Sequence, residues 1–202
     1  MTTSSQPSET PSAADLTGCE VIVVVAGGIA AYKTCDVVSR LVQRGAGVTV
    51  AMTRSARKFV GPATFEALSG RAVLTSLWRG HDPRDVQHVS ATQQADLFLA
   101  APATANLIAK FACGIADDLV STLFTSVDSM VLLAPSMNDR MWRHPIVQRN
   151  LKTLREIGCQ TVGPDEGWLA CRSVGAGRLA APQEIVDRAE ALLHAARADR
   201  GG

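Results

Sequence analysis

Residues 20–33 read EVIVVVAGGIAAYK, and this stretch decides the fold. Its first seven residues are almost continuously β-branched and apolar, which is typical of a strand buried on both faces of a parallel sheet. Gly27 and Gly28 follow directly, and the apolar residues beyond them recur at helical spacing as far as Gly45. The stretch therefore predicts a strand, a tight turn and a helix, which together begin a βαβ unit.

The same alternation of strand and helix continues along the chain. Further strands are predicted at 47–53, 96–102 and 129–136, and helices at 103–114, 117–126, 144–158 and 182–198. Strands that alternate with helices favour a doubly wound, flavodoxin-type α/β fold with a parallel sheet. With 202 residues and no internal repeat, the chain is expected to form a single domain over 18–202.

Composition narrows the class of protein. The formal net charge of +1 gives no reason to expect nucleic acid or an anionic membrane as partner, and no apolar run approaches a membrane span. Five cysteines without a CxxC pair predict a cytoplasmic protein whose thiols are mostly reduced, buried and inert. Residues 1–17 are rich in Ser, Thr and Pro, so we expect a disordered tail without the character of a signal peptide.

Small, hydroxyl and amide side chains follow each predicted strand. Ligands of doubly wound folds bind beyond the carboxyl ends of the strands, so these groups are candidate binding residues. The glycine pair permits close approach of a ligand and precedes a helix whose N–H groups suit an anion, although a plain tight turn explains it equally well. GxGxxG is absent, which favours a mononucleotide phosphate over NAD. The candidates are Gly27, Gly28, Ile29, Thr53, Ser55, Ala103, Thr104, Asn106, Ser136 and Asn138.

Several of these side chains also have a structural interpretation. Thr53, Ser55 and Thr104 could bind a cofactor or cap the helix that follows, and Asn138 could bind a carboxylate or act as a cap. For the adjacent pair Asp117 and Asp118, helix capping is favoured over a metal site because no third ligand has suitable spacing. His88 is by itself as compatible with a surface residue as with a catalytic base.

Residues 167–178, GWLACRSVGAGR, show neither helical nor strand periodicity. We expect 164–181 to form a mobile flap hinged at Gly167, Gly175 and Gly177. A free cysteine, Cys171, in so polar a loop is an unusual packing residue.

The order of these motifs resembles the flavin-containing cysteine decarboxylases over roughly residues 20–195. The blocks that carry the resemblance are GGIAAYK at 27–33, His88 ahead of the AD pair at 95–96, APATANLIAKFACGIADDL at 101–119, APSMNDRMWRHPIVQRNL at 134–151 and GWLACRSVGAGRLAAP at 167–182. The resemblance implies FMN as cofactor and decarboxylation of phosphopantothenoylcysteine to phosphopantetheine in coenzyme A biosynthesis. The thiol end is oxidised to a thioaldehyde, carbon dioxide leaves, and the resulting enethiol is reduced again.

The resemblance also implies roles for single residues. Gly27, Gly28, Ile29, Thr53 and Ser55 would hold the phosphate region of FMN, Phe59 would lie near the flavin, and Ala103, Thr104, Asn106 and Ser136 would line its ring and ribityl chain. His88 would help to activate the substrate, and Asn138 would bind the carboxylate that leaves. Cys171 would be the proton donor of the flap, with Met141, Ala170 and Arg172 contacting the substrate.

The sequence departs from the family pattern at Arg172, where glycine usually follows the flap cysteine, and at Leu179, where methionine is common. Arg172 would stiffen the flap or contact the substrate phosphate. The resemblance implies a homotrimer or a dodecamer of trimers, no metal, and a separate partner enzyme for the synthetase step, because the chain stops at Gly202.

Three other functional hypotheses remain open beside this one. The nearest is a peptidyl-cysteine decarboxylase, which stops at the enethiol and therefore does not need Cys171. A non-catalytic flavin-binding regulatory subunit is less favoured because the C-terminus is short and not acidic. A nucleotide-binding module without chemistry is the third.

Overall fold

The computed structural model describes residues 15–77, 92–170 and 172–200. Within these ranges five parallel strands form one sheet in the order β2-β1-β3-β4-β5, which is the flavodoxin-type order. The predicted doubly wound fold is confirmed. The strands are β1 (Glu20–Val25), β2 (Gly47–Met52), β3 (Leu97–Ala103), β4 (Met130–Pro135) and β5 (Gln160–Thr161). The helices are α1 (Thr34–Gln43), α2 (Pro62–Ser69), α3 (Ala105–Ala112), α4 (Leu119–Ser126), α5 (Asp139–Arg143), α6 (Pro145–Glu156) and α7 (Pro182–Arg200).

Alternate residues of β1 enter different hydrophobic layers, which explains its continuous apolar sequence. Val21, Val23 and Val25 pack in one layer with residues of α1 and α7. Ile22 and Val24 pack in the opposite layer with residues of α3, α4 and α6. Because both faces of the sheet are covered by helices, β1 and β3 are buried along nearly their whole length.

The strand order reverses between β1 and β3, and this reversal positions the ligand site. From β1 the chain passes by α1 to β2 on one side, while β3 lies on the other side and continues toward β4. The loops that follow β1 and β3 therefore diverge and leave a crevice between them. None of the helices among the described residues is long and apolar enough to cross a membrane.

Three features differ from the sequence-based expectation. The helix after β1 begins as a 3-10 helix over Ile29–Lys33 and becomes α-helical only at Thr34. Helices α2 and α5 and the short strand β5 were not predicted. Residues 165–178 do not form a loop without strands, because β6 (Asp165–Trp168) pairs with β7 (Val174–Arg178) in an antiparallel hairpin.

Candidate functional site

The crevice at the strand reversal contains a small cavity of about 260 Å³, which we call the polar cleft. It collects residues from the loops after β1, β2 and β3, as the sequence predicted for the strand ends. Its lining residues are Ala26, Gly27, Thr53, Arg54, Ser55, Thr104, Asn106, Leu107, Lys110 and Asp118.

Gly27 allows the loops after β1 and β2 to meet in this cleft. A Cβ atom at Gly27 would lie 2.3 Å from Cβ of Ser55 and 2.8 Å from its carbonyl carbon. Since real side chains do not approach so closely, any residue larger than glycine would force the Ser55 loop outward. The close approach of these two backbones shapes the wall on which a ligand would lie.

Two of the hydroxyl groups in the cleft accept hydrogen bonds from backbone N–H groups where helices begin. Thr104 Oγ1 accepts a hydrogen bond from the backbone N–H of Leu107 at 3.3 Å, at the N-terminus of α3. Thr53 Oγ1 accepts one from the N–H of Ala56 at 3.1 Å. The capping interpretation is confirmed for Thr104, whereas Thr53 precedes the N-cap position of the short 3-10 helix. Ser55 stands at the N-cap of a short 3-10 helix but forms no side-chain cap.

Three polar side chains in the cleft are not used by the fold. Within the described residues, the side chains of Arg54, Ser55 and Asn106 form no hydrogen bond or ion pair with another residue. A guanidinium, a hydroxyl and an amide are donors that suit a phosphate and the polar edge of a heterocycle. This donor set, beside a glycine that permits close approach, fits a phosphorylated flavin.

An ion-pair cluster forms one side of the cleft. Lys110 Nζ donates to Asp117 at 2.5 Å and to Asp118 at 2.7 Å. Asp118 also caps α4 in a reciprocal capping box with Ser121. Burial alone would raise the pKa of Asp118, but hydrogen bonds from Lys110 and Ser121 outweigh it and hold this pKa below its ordinary value.

The predicted capping role of the Asp117–Asp118 pair is thus confirmed for Asp118. The described residues contain no group of three or more His, Cys, Asp or Glu side chains that would suit a metal ion.

A second cavity, of about 420 Å³, lies on the other side of the loop after β1, and we call it the apolar cavity. Gly27 lines the polar cleft, whereas the next residue, Gly28, lines the apolar cavity. The loops after β1 and β4 and the β6–β7 hairpin contribute its other residues. These are Ile29, Ala30, Tyr32, Lys33, Ser136, Met137, Asn138, Trp168, Leu169, Ala170, Gly177, Arg178 and Leu179.

The hairpin is held on the loop after β4 by close backbone contacts. The N–H of Met137 donates to the carbonyl of Gly177 at 2.9 Å. Gly177 has a φ of 133°, and a Cβ there would lie 2.2 Å from the carbonyl oxygen of Met137. Gly175 packs in the same way against Asp139, whose carboxylate forms an ion pair with Arg143. Gly175 and Gly177 are thus close contact points in the structure, and their role as hinges stays a prediction.

The structure places most of the sequence-predicted residues at one of the two cavities. Asn138 lines the apolar cavity, and its side-chain oxygen accepts a hydrogen bond from the N–H of Arg140 at 2.8 Å, so it caps α5. Its predicted role as a carboxylate ligand stays a prediction.

Four candidates line neither cavity. Ala103 is fully buried within β3, while Phe59, Met141 and Arg172 are exposed. Two further candidates, His88 and Cys171, lie outside the described residues.

Several lining residues were missed by the sequence reasoning. Arg54 stands between the two hydroxyl residues that were singled out, and its position after β2 could have identified it. Lys33, Tyr32 and Trp168 carried no such signal, because they reach the apolar cavity only when the hairpin folds over the first helical turn.

The remaining cysteines differ in burial more than the sequence suggested. Cys19 and Cys159 are buried, and burial raises the pKa of the Cys159 thiol to about 11. Cys35 is half-buried and its pKa is likewise raised by burial. Cys113 is exposed at the end of α3, so it is an exception to the expectation of mostly buried thiols.

Comparisons with known proteins agree with this geometry. A family model described as flavoprotein matches residues 9–194. The coenzyme A biosynthesis bifunctional protein CoaBC of Bacillus subtilis is 48% identical over 170 residues, which are 84% of this chain and 42% of that protein. The protein of the same name from Mycolicibacterium smegmatis is 47% identical over 178 residues, which are 88% and 42% of the two chains. This chain therefore spans less than half the length of these curated relatives.

Solved structures show the same likeness. A cysteine-to-serine mutant of a PPC decarboxylase, complexed with pantothenoylaminoethenethiol, superimposes with a TM-score of 0.78 at 25% identity. The match covers 87% of this chain and 98% of that one. The FMN-dependent cysteine decarboxylase SpaF superimposes with a TM-score of 0.75 at 31% identity, covering 90% and 99% of the two chains.

Proposed function

The chain belongs to the flavoprotein family, and from this premise we propose that it is an FMN-dependent decarboxylase that converts phosphopantothenoylcysteine to phosphopantetheine. The observation that carries the proposal is the pair of cavities beside the loop after β1. One is polar and offers hydrogen-bond donors that the fold does not use, and the other is largely apolar. Similarity to CoaBC proteins and to a PPC decarboxylase supports the choice of substrate.

The polar cleft would hold FMN. Arg54 and Ser55 would bind its phosphate, with the close approach at Gly27 giving the phosphate access to the loop backbone. Asn106 would donate to a carbonyl at the edge of the ring system. When bound, FMN supplies the electron acceptor for oxidation of the cysteine end of the substrate, without which loss of carbon dioxide would leave an unstabilised carbanion.

The apolar cavity would hold the substrate, and its residues would position and desolvate it. Asn138 would donate its amide N–H to the carboxylate that leaves, while its oxygen stays fixed by the cap on α5. Trp168 and Leu169 of the hairpin line one side of the cavity and would exclude water there once substrate is bound. His88 would act on the thiol end of the substrate, and Cys171 would deliver a proton from its Sγ to the decarboxylated product during the final reduction.

We also infer self-association, as a homotrimer or a dodecamer of trimers, in the cytoplasm. Large apolar side chains at and beside the mouth of the apolar cavity are unusually exposed, with Ile29 at 60%, Tyr32 at 59%, Trp168 at 65% and Val174 at 72%. Such a patch suits burial by the substrate where it lines the cavity and by a second copy of the chain beside it.

The proposal is tested by the visible spectrum of the purified protein and by mass spectrometry of its products from phosphopantothenoylcysteine. We expect a flavin spectrum, phosphopantetheine as product, and an oxidised enethiol-type product from Cys171→Ser. Cys113→Ser is the matched control, because this exposed thiol lines neither cavity and should leave the product unchanged.

Two results would contradict the proposal. Activity confined to a peptide with a C-terminal cysteine would establish a peptidyl-cysteine decarboxylase instead. A protein that cannot be loaded with FMN would exclude both enzymes.

A further inference from the structure

The apolar cavity carries two cations and no carboxylate. Lys33 and Arg178 line it, while none of its described lining residues is Asp or Glu. Neither side chain forms an ion pair or a hydrogen bond with another described residue. The polar cleft differs in this respect, because its Lys110 is neutralised by two aspartates. The apolar cavity is thus the more electropositive of the two by its own lining.

Both cations are held in place by the fold. Lys33 is the last residue of the 3-10 helix that follows β1 and is only half-exposed. Arg178 ends β7, and its guanidinium lies against the backbone of Gly167 on the opposite strand, since a Cβ at Gly167 would be 3.0 Å from Nη1. A guanidinium supported in this way loses less conformational freedom when it binds an anion.

The combination of an apolar wall and two unneutralised cations specifies the chemistry of a ligand. Ile29, Tyr32 and Trp168 suit an extended, weakly polar arm, and the cations suit a dianionic group at the end of that arm. FMN also carries a phosphate, but Arg54 and Ser55 already offer donors for it on the other side of the loop. The two sets of donors would therefore separate two phosphorylated ligands.

We propose that Lys33 and Arg178 form the subsite for the terminal phosphate of the substrate, and so determine preference for phosphorylated over unphosphorylated pantothenoylcysteine. This inference rests on the proposed function. Arg172, for which a phosphate contact was one expectation from the sequence, does not line the cavity.

The test compares Lys33→Gln and Arg178→Gln with the native protein on phosphopantothenoylcysteine and on pantothenoylcysteine. Each variant should lose about tenfold in kcat/KM on the phosphorylated substrate, mainly through KM, because one charge-assisted contact is removed. The unphosphorylated substrate should be nearly unaffected, and the flavin absorbance should stay unchanged. Arg140→Gln is the matched control, because this exposed arginine lines neither cavity.

Equal losses of kcat/KM on both substrates, or an equal loss in Arg140→Gln, would overturn the inference.

A second measurement separates this outcome from failure of the proposed function. The native protein with FMN is titrated calorimetrically with phosphopantetheine and with pantetheine, which requires no turnover. Tighter binding of phosphopantetheine that disappears in both variants would support the subsite even if no decarboxylation occurred. Equal affinity of the native protein for the two compounds would refute it.

Discussion

The polar cleft and the apolar cavity lie on opposite sides of one loop but are built differently. The polar cleft consists of strand-end loops that the sheet itself brings together, and its rim is held by the Lys110–Asp118 ion pair and a capping box. The apolar cavity has only one side made by strand ends, because its other side is a hairpin held by glycine contacts. A change in the hairpin should therefore affect substrate handling and leave flavin binding intact.

Gly177→Ala should give the largest effect on the apolar cavity. The added Cβ would collide with the carbonyl oxygen of Met137 at 2.2 Å, and φ at this position is 133°. We expect a loss of about 3 kcal/mol of hairpin stability and a fall of roughly 100-fold in phosphopantetheine formation, with FMN content unchanged. Gly61→Ala is the matched control, since a Cβ there meets nothing within 4 Å, and product analysis distinguishes the two variants. Loss of FMN from Gly177→Ala would contradict the separation of the cavities.

Asp118→Ala should destabilise the fold at the polar cleft, by less than Gly177→Ala destabilises the hairpin. It removes a helix cap worth about 1 kcal/mol and one carboxylate partner of Lys110, so urea unfolding should show reduced stability. Asp118→Asn keeps a capping oxygen and should lose less. An equal loss of stability in the two variants would show that the helix cap contributes little to the free energy of unfolding.

The same aspartate predicts a pH dependence. Its pKa in the folded protein lies below the ordinary 3.8, so its stabilising effect is complete above pH 3.8 and is lost as pH falls through the lower folded value. The stability difference between the native protein and Asp118→Asn should therefore shrink in strongly acidic solution. A difference that grows on acidification would contradict this assignment.

Arg172→Gly should change the stability of the protein least among these variants, and it should raise that stability instead of lowering it. Arg172 has a φ of 62°, a left-handed conformation that costs a side-chain-bearing residue about 1 kcal/mol. Glycine should raise the melting temperature slightly, with part of the gain offset by greater freedom of the unfolded chain. Arg172→Ala removes the charge but keeps Cβ, so it should show no such gain. A gain in the alanine variant would assign the effect to the charge.

The sheet and the polar cleft were predictable from the sequence because local signals coincide there. The continuous apolar run at 20–26 predicts β1. Thr104 directly precedes a helical pattern, which predicts the N-cap that it forms in the structure. The hairpin was not predictable, since Gly175 and Gly177 have low strand propensity and pair only because the loop at Met137 supports them. Lys33 and Arg178 were not predicted as site residues, because only the folded hairpin brings them to one cavity.

Titration of the apoprotein with FMN in Gly27→Ala, Gly177→Ala and Gly61→Ala tests the central claim most directly. A Cβ at Gly27 would collide with Ser55 at 2.3 Å, whereas Gly61 has nothing within 4 Å and serves as control. We predict that Gly27→Ala alone loses FMN affinity, by roughly 100-fold. Native FMN affinity in Gly27→Ala, or an equal loss in Gly177→Ala, would show that the flavin is not confined to the polar cleft.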